Sequence, residues 1–466
     1  METNKTQALG TEPIGRLLCQ LAIPAIAAQV INLLYNLVDR MYIGHIADIG
    51  TLALTGVGVC LPLIMIISAF AALAGMGAAP RASIFLGNRD QESAERTLGN
   101  AFTLLLLISV ALTAIFWIFA KDLLLLFGAS ANTIDYAMEY IRIYSMGTIF
   151  VQMTLGLNPF ISAQGFAKTS MLTVLIGAVC NIILDPIFIF GFNMGVAGAA
   201  LATILSQAIS TIWILHFLTG KKTGLKIKRE YLRLSPKIFL PCVALGLSPF
   251  IMQSTESLLA ICFNASLLKY GGDLAVGAMT ILTSVTQFSM MPLMGLSQGA
   301  QPIISYNYGA HNAQRVRHTF RLLLICCVTF STVLWLAIML TPQTFILIFN
   351  NDPALVAFGT HALRIYMGIT CVFGVQIACQ QTFVALGDAK SSLFLALLRK
   401  IFLLIPLIFL LPMVLPDKTT AVFLAEPVAD FIAVSTTAIL FFIQFRRSMQ
   451  SISVPVAPPV EGGKQG

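Results

Sequence analysis

The sequence predicts an all-α integral membrane protein whose twelve transmembrane helices form two six-helix bundles related by a pseudo-twofold axis. Three observations lead to this prediction. Of the 466 residues, 57% are hydrophobic and 10% are charged, against roughly 25% charged residues in an average soluble domain. The apolar residues gather into stretches of about twenty, the length at which a helix crosses a bilayer. A set of residues also recurs at a constant spacing of 222 positions, which indicates an internal repeat.

The composition excludes several other classes of protein. The net charge of +8 could suggest nucleic acid, but no polar scaffold carries it. The nine cysteines lie in apolar stretches without metal-ligand spacing, so we expect neither a disulfide framework nor a zinc site. The sequence has no phosphate-binding loop of the Walker type and no histidine in a recognisable nucleophile arrangement. We therefore expect no enzyme activity, no cofactor and no nucleic-acid partner.

The predicted helices follow one another along almost the whole chain. The first apolar stretch is longer than the apolar region of a signal peptide and no small-residue cleavage site follows it, so we expect a retained span. The twelve predicted spans are 17–43, 52–78, 95–120, 134–158, 168–190, 195–218, 237–268, 275–300, 318–342, 357–382, 392–415 and 421–445.

The basic residues predict the orientation of these spans. The N-terminus, the even-numbered loops and the C-terminal tail, which includes Lys464, hold twenty Lys and Arg, whereas the odd-numbered loops hold three. Cytoplasmic loops carry the excess of Lys and Arg. Both termini are therefore predicted to be cytoplasmic.

A polar segment near the middle of the chain divides it into two lobes. We predict an N-terminal lobe at 1–220, a basic cytoplasmic linker at 221–236, a C-terminal lobe at 237–446 and a cytoplasmic tail at 447–466. The linker is expected to be a solvated segment that fixes the topology. Its alternative role is a contact with anionic lipid.

The two lobes are related in sequence. GAAPRASIFLG at 77–87 aligns with GAQPIISYNYG at 299–309, and the same offset pairs Gly165 with Gly387. Because each lobe holds an even number of spans, both copies have the same orientation in the membrane and their axis runs along its normal. Parallel repeats of this kind are typical of transporters that rock two lobes around a central site.

Carboxylates inside the spans mark candidate functional sites, because a charged side chain in hydrocarbon is costly. Asp185 in NIILDPIFIF lies one helical turn after Asn181, on the same face. Pro186 follows it and lacks an N–H, which frees a backbone carbonyl oxygen. Such a cluster can bind a small cation or share a proton.

Asp39 is a second deep acid, late in span 1. Tyr35 and Asn36 lie about one turn earlier, and we expect them to line a substrate cavity. The functional interpretation is favoured on general grounds for an intramembrane acid. The structural alternative is that Asp39 neutralises Arg40.

The second lobe supplies further candidates for the cavity. Glu256 lies in the polar run QSTES of span 7, close to Gln253, and both are expected to face the cavity. Met290 belongs to a group of methionines in span 8 whose flexible side chains suit promiscuous binding, although packing is their commoner role. Glu426 and Asp430 in span 12 could line the same cavity or lie at the membrane interface.

Several of these segments resemble the multidrug and toxic compound extrusion (MATE) transporters, in particular their prokaryotic DinF-related branch. The resemblance covers nearly the whole chain and is carried by NLVDRMYIG, NIILDPIFIF, GVAGAALATILSQ and SAQGFAK. It implies that the N-terminal lobe holds a proton or cation site, with Na⁺ as the candidate metal, and that Pro24 is a hinge that bends the first helix on protonation. The positions that match this site are Asp39, Asn181, Asp185 and Thr203.

The resemblance also bears on the second lobe. Some members of the family pair a glutamate on the seventh helix with an aspartate on the tenth. Glu256 matches the first partner, but span 10 contains no acid. The sequence therefore favours the site in the N-terminal lobe.

Together these features predict a secondary active multidrug efflux antiporter that exports amphipathic or cationic organic compounds in exchange for H⁺ or Na⁺. We expect a monomer in the cytoplasmic (inner) membrane of a prokaryote, with small organic molecules and the lipid bilayer as its partners. One alternative is a lipid-linked precursor flippase, which would need several deep basic residues, and the candidates are Arg142, Arg364, Arg399 and Lys400. Another is a non-transport membrane scaffold that does not require the buried acids.

Overall fold

The computed structural model describes residues 3–47 and 49–453, and these residues form helices without any β-strand. Lys464 and most of the predicted tail, from 454 onward, lie outside the described residues. The helices are α1 Thr3–Thr11, α2 Ile14–Gly44, α3 Gly50–Gly87, α4 Gln91–Leu126, α5 Ile134–Met146, α6 Thr148–Ala163, α7 Ala167–Pro186, α8 Gly195–Thr219, α9 Pro236–Gly309, α10 Ala313–Leu340, α11 Pro342–Leu347, α12 Pro353–Tyr366, α13 Thr370–Ala385, α14 Ala389–Leu397, α15 Ile405–Val414 and α16 Lys418–Ser453. Two π-helical segments, Ile187–Gly191 and Leu398–Leu404, follow α7 and α14.

The helices account for the predicted spans, although not one by one. Within the described ranges, nine helices are long and apolar enough to cross a membrane. One of them, α9, has 74 residues and contains predicted spans 7 and 8, which meet at Gly272, where φ is 65°. Predicted span 10 is the pair α12 and α13, bent by 47°. Predicted span 4 is divided at Gly147 into α5 and α6.

Repeat-related positions adopt the same unusual backbone conformations. Arg89 and His311, 222 residues apart, have φ values of 60° and 56°. Gly165 and Gly387, at the same offset, have φ values of 88° and 77°. The sequence repeat is therefore also a structural repeat.

The lobes contact each other where glycines remove the side chains between two helices. A Cβ atom on Gly87 of α3 would overlap the carbonyl oxygen of Tyr306 in α9, and one on Gly309 of α9 would overlap the carbonyl oxygen of Ile84. Gly87 and Gly309 are repeat partners, so the contact is reciprocal. Small residues allow close backbone approach between membrane helices. We call these two glycines the glycine crossing.

Replacing Gly87 with alanine is expected to destabilise the protein by about 3 kcal/mol, the upper end of the cost of overpacking, because the new methyl group meets backbone that cannot rotate away. Gly58→Ala in the same helix is the matched control, since a Cβ there has no atom within 4 Å. The midpoint of thermal unfolding in detergent should fall for Gly87→Ala and stay level or rise for Gly58→Ala. Equal midpoints for the two variants would contradict the close approach.

The short helix α1 is tied to both lobes. Thr6 donates its hydroxyl to the backbone carbonyl of Gln164 in the first lobe, at 3.2 Å. In the second lobe, Asn307 and Arg315 donate to the carbonyl of Leu9, at 2.8 and 3.1 Å. The cationic side chain of Arg315 thus lies at the negative end of the helix dipole, which is a favourable position.

The segment between the lobes is more structured than a solvated linker. The side-chain oxygen of Gln164 accepts hydrogen bonds from the Thr223 hydroxyl and from the backbone N–H groups of Gly224 and Leu225, at 2.8 to 2.9 Å. Lys228 forms an ion pair with Glu95 at 2.5 Å, which raises the pKa of this exposed lysine above its ordinary value. The part of the linker from Thr223 to Lys228 is therefore held along the first lobe, whereas Lys221 and Lys222 are exposed.

Candidate functional site

A cavity of about 760 Å³ lies between the lobes and is lined by residues from both. The structure places Tyr35 and Asn36 on its N-lobe wall and Gln253 and Glu256 on its C-lobe wall. Its walls mix apolar side chains with polar ones, which is the usual lining of a site for small organic molecules.

Met290 does not lie where we predicted it. It packs against the buried apolar cluster that contains Leu293 and Ala300, whereas Phe288 of the same helix lines the cavity. Successive residues of an α-helix are turned by about 100°, so a residue two positions after Phe288 points to nearly the opposite side. Gln287 and Phe288 are thus the residues of this stretch that line the cavity.

A polar cluster lies in the first lobe between α7 and α8. The amide of Asn181 donates to Asp185 at 3.2 Å and to the Thr203 hydroxyl at 3.5 Å. Asp185 is completely buried and Asn181 is almost so. Asn181 and Thr203 also line the cavity, so the cluster and the cavity share one wall.

Asp39 of α2 belongs to the same cluster, since its carboxyl group lies close enough to that of Asp185 for the two groups to influence each other electrostatically. Three buried oxygens of the cluster accept no hydrogen bond in the described part of the chain: Asp39 Oδ1, Asp185 Oδ2 and Asn181 Oδ1. Two facing buried carboxyl groups repel each other when both are charged, so a proton or a cation between them is favoured. The donor set therefore fits H⁺ or a small hard cation such as Na⁺.

The local sequence explains how these groups meet. Asn181 and Asp185 are four residues apart on α7 and so lie on one face. The helix changes at Pro186 to the π-helical segment Ile187–Gly191, as expected where proline interrupts the hydrogen-bond ladder. Arg40, the alternative partner of Asp39, is exposed and forms no ion pair within the described ranges.

Pro24 lies buried inside α2, which continues on both sides of it from Ile14 to Gly44. It removes one backbone hydrogen bond from this helix. The position suits a hinge between the start of α2, which packs on the second lobe through Leu18 and Leu21, and its end, which carries Asp39. The hinge stays a prediction.

The second lobe contains a charge cluster whose pairing was not predicted from the sequence. Arg399 donates to Asp430 at 2.6 Å and to Glu426 at 2.9 Å, and Lys400 donates to Glu256 at 2.5 Å. Glu426 and Asp430 are thus partners of a buried arginine. The signal was present in the sequence, because two basic residues in the apolar span LRKIFLL need acidic partners on other spans.

Comparisons with known proteins agree with the fold. The family model MatE matches residues 24–187 and 249–410. The multidrug export protein MepA of Staphylococcus haemolyticus is 24% identical over 422 residues, covering 90% of this chain and 92% of that protein.

Two solved structures extend the comparison. The MATE multidrug transporter DinF-BH, solved as a complex, is 35% identical, with a TM-score of 0.87 over 95% of this chain and 98% of that one. A MATE structure in the bent conformation, 22% identical, has a TM-score of 0.90 over 97% of this chain and all of that one. The resemblance seen in the sequence is confirmed, and the chain belongs to the MatE family of membrane transporters.

Proposed function

We propose that this protein is a secondary antiporter that exports amphipathic, often cationic organic compounds in exchange for H⁺ or Na⁺. The names of its relatives support export of such compounds, since MepA is a multidrug export protein and DinF-BH is a multidrug transporter. The exchange ion is argued from the geometry of the first lobe.

One observation carries the proposal: Asn181 and Thr203 belong both to the cavity wall and to the cluster that holds Asp39 and Asp185. A cation or proton at the two carboxyl groups therefore changes the charge and hydrogen bonding directly behind the wall. The ion and the organic compound are exchanged if they favour different conformations of the protein. Binding of one then shifts the equilibrium between the two conformations away from the state that binds the other.

The arrangement of the lobes supports a direction of transport, from the cytoplasmic side outward. Gly87 and Gly309 close the contact between lobes at the end where the basic loops begin, with Arg89 and Arg315. By the positive-inside rule this end and both termini are cytoplasmic. The cavity reaches Arg40 and Phe349 near the opposite end, which supports an outward-facing state. We propose a monomer in the plasma membrane of a prokaryote.

The positions of the basic residues disfavour the flippase alternative. A pyrophosphate group would need free cations in the cavity, yet Arg399 and Lys400 are each paired with carboxylates. Arg142 and Arg364 are exposed and line no part of the cavity in the described residues. Arg40 alone supplies a positive charge to that described lining.

Uptake of ethidium into proteoliposomes, with a pH gradient and a sodium gradient imposed separately, tests the proposal. We expect one of the two gradients to drive accumulation, and an ionophore that collapses that gradient to abolish it. Protein-free liposomes are the control. If neither gradient drives transport above this control, the antiporter function is wrong and the scaffold alternative is favoured.

A further inference from the structure

The second lobe has its own carboxylate at the cavity. Glu256 is the one acidic residue in the described lining, and its side chain is 54% exposed there. Its Oε1 accepts a hydrogen bond from Lys400 Nζ at 2.5 Å. Its Oε2 accepts none within the described ranges. One oxygen of this carboxylate is therefore hydrogen-bonded to Lys400, and the other is available to a molecule in the cavity.

Lys400 reaches Glu256 from inside the protein. Its side chain is 7% exposed, and the residue belongs to the π-helical segment Leu398–Leu404. Its neighbour Arg399 points elsewhere, toward Glu426 and Asp430. The adjacent residues Arg399 and Lys400 thus form ion pairs with two different helices, α16 and α9.

The two basic residues of this segment differ in how firmly their side chains are held. The guanidinium of Arg399 donates to one carboxylate from each of two nitrogens, and its central carbon lies 4.6 Å from the centre of the Phe373 ring. A planar guanidinium in such a setting is fixed. The ammonium of Lys400 is a single point charge on a flexible stem, and the partner it holds is open to the cavity.

We propose that Lys400 is a specificity-determining residue: its ammonium acts as a tethered counter-ion for Glu256, and the cation of an incoming organic compound has to compete with it. The inference rests on the proposed function, since it takes the cavity to be the substrate site. A neutral compound gains nothing from Glu256 and meets no competition. A cation gains the full carboxylate only when the ammonium withdraws.

The charges of the cluster explain why the ammonium of Lys400 affects a cation in the cavity. The cluster around Arg399 and Lys400 holds three carboxylates and two cations. With Lys400 in place, Glu256 is paired with an ammonium, and the cluster as a whole has one excess negative charge. Without the ammonium, the same wall carries an uncompensated carboxylate, which attracts organic cations strongly in a partly desolvated site.

Equilibrium binding to the purified full-length protein tests this inference with two probes of similar shape, the tetraphenylphosphonium cation and neutral triphenylphosphine oxide. We expect Lys400→Met to bind the cation about tenfold more tightly, and the neutral probe unchanged within about twofold. Lys400→Arg keeps the positive charge and should bind the cation no more tightly than the wild type does. Lys390→Met, which removes an exposed lysine outside the cluster, is the matched control for net charge.

The double variant Glu256→Gln/Lys400→Met completes a double-mutant comparison. It also keeps the inference testable if Lys400→Met alone does not fold. It leaves neither charge unpaired, and we expect it to bind the cation no more tightly than the wild type does. Tighter cation binding by the double variant overturns the inference, as does an equal shift of both probes in Lys400→Met. If the wild type binds the neutral probe and the cation but Lys400→Met leaves both affinities unchanged, the inference alone fails. If no form of the protein binds either probe, the proposed substrate site fails with it.

Discussion

Asparagine in place of Asp185 should reduce gradient-driven ethidium transport to the level of protein-free liposomes while the protein stays folded. The substitution keeps the shape and the hydrogen-bonding capacity toward Asn181 but removes the negative charge that a proton or cation neutralises. An ion that no longer distinguishes the two conformations cannot shift their equilibrium, so coupling is lost. Transport is measured in proteoliposomes with the gradient that drives the wild type.

Asp39→Asn should have the same effect, and the double variant should be no worse than either single one, because residues that act as a unit are not additive. Asp122→Asn, an exposed acid at the end of α4, is the matched control and should transport normally. Unchanged midpoints of thermal unfolding would show that the fold is intact. Full gradient coupling in both single variants would refute the role of the two carboxyl groups.

Replacing Arg399 with methionine should destabilise the second lobe by about 3 to 5 kcal/mol, the usual cost of removing one partner of a buried ion pair. The reason is that Glu426 and Asp430 are nearly buried and each accepts a hydrogen bond from this guanidinium. The variant should unfold at a much lower temperature in detergent, or accumulate poorly in membranes. Thermal unfolding followed by intrinsic fluorescence measures the effect.

The triple variant Arg399→Met/Glu426→Gln/Asp430→Asn should recover most of the lost stability, because it leaves no charge unpaired. Arg364→Met, at an exposed arginine of α12, is the matched control and should change stability by no more than about 0.5 kcal/mol. If Arg399→Met were as stable as this control, the buried network would not contribute as described.

Most of the fold follows from the sequence because the bilayer imposes its own length scale. Apolar stretches of helical-span length are visible without any knowledge of contacts, and the repeat offset pairs Gly87 with Gly309 in sequence, as the structure pairs them in space. The division of span 4 at Gly147 and the bend between α12 and α13 were not predicted, since hydropathy averages over such local breaks.

In the site, contacts between residues close in sequence could be predicted, whereas contacts between distant residues could not. Asn181 and Asp185 share a helical turn, so their meeting could be predicted from spacing. The pairing of Lys400 with Glu256 joins residues 144 positions apart on different helices, and no local pattern reports it. Met290 was misplaced for an angular reason, because a methionine-rich helix does not reveal by composition which of its sides faces the cavity.

The glycine crossing has a mechanical consequence. Where side chains of two helices interdigitate, separating the helices requires many side-chain rotamers to change. At Gly87 and Gly309, by contrast, backbone lies against backbone without an intervening side chain. A separation of the two lobes at this contact would therefore require few side-chain rotamers to change at these two positions.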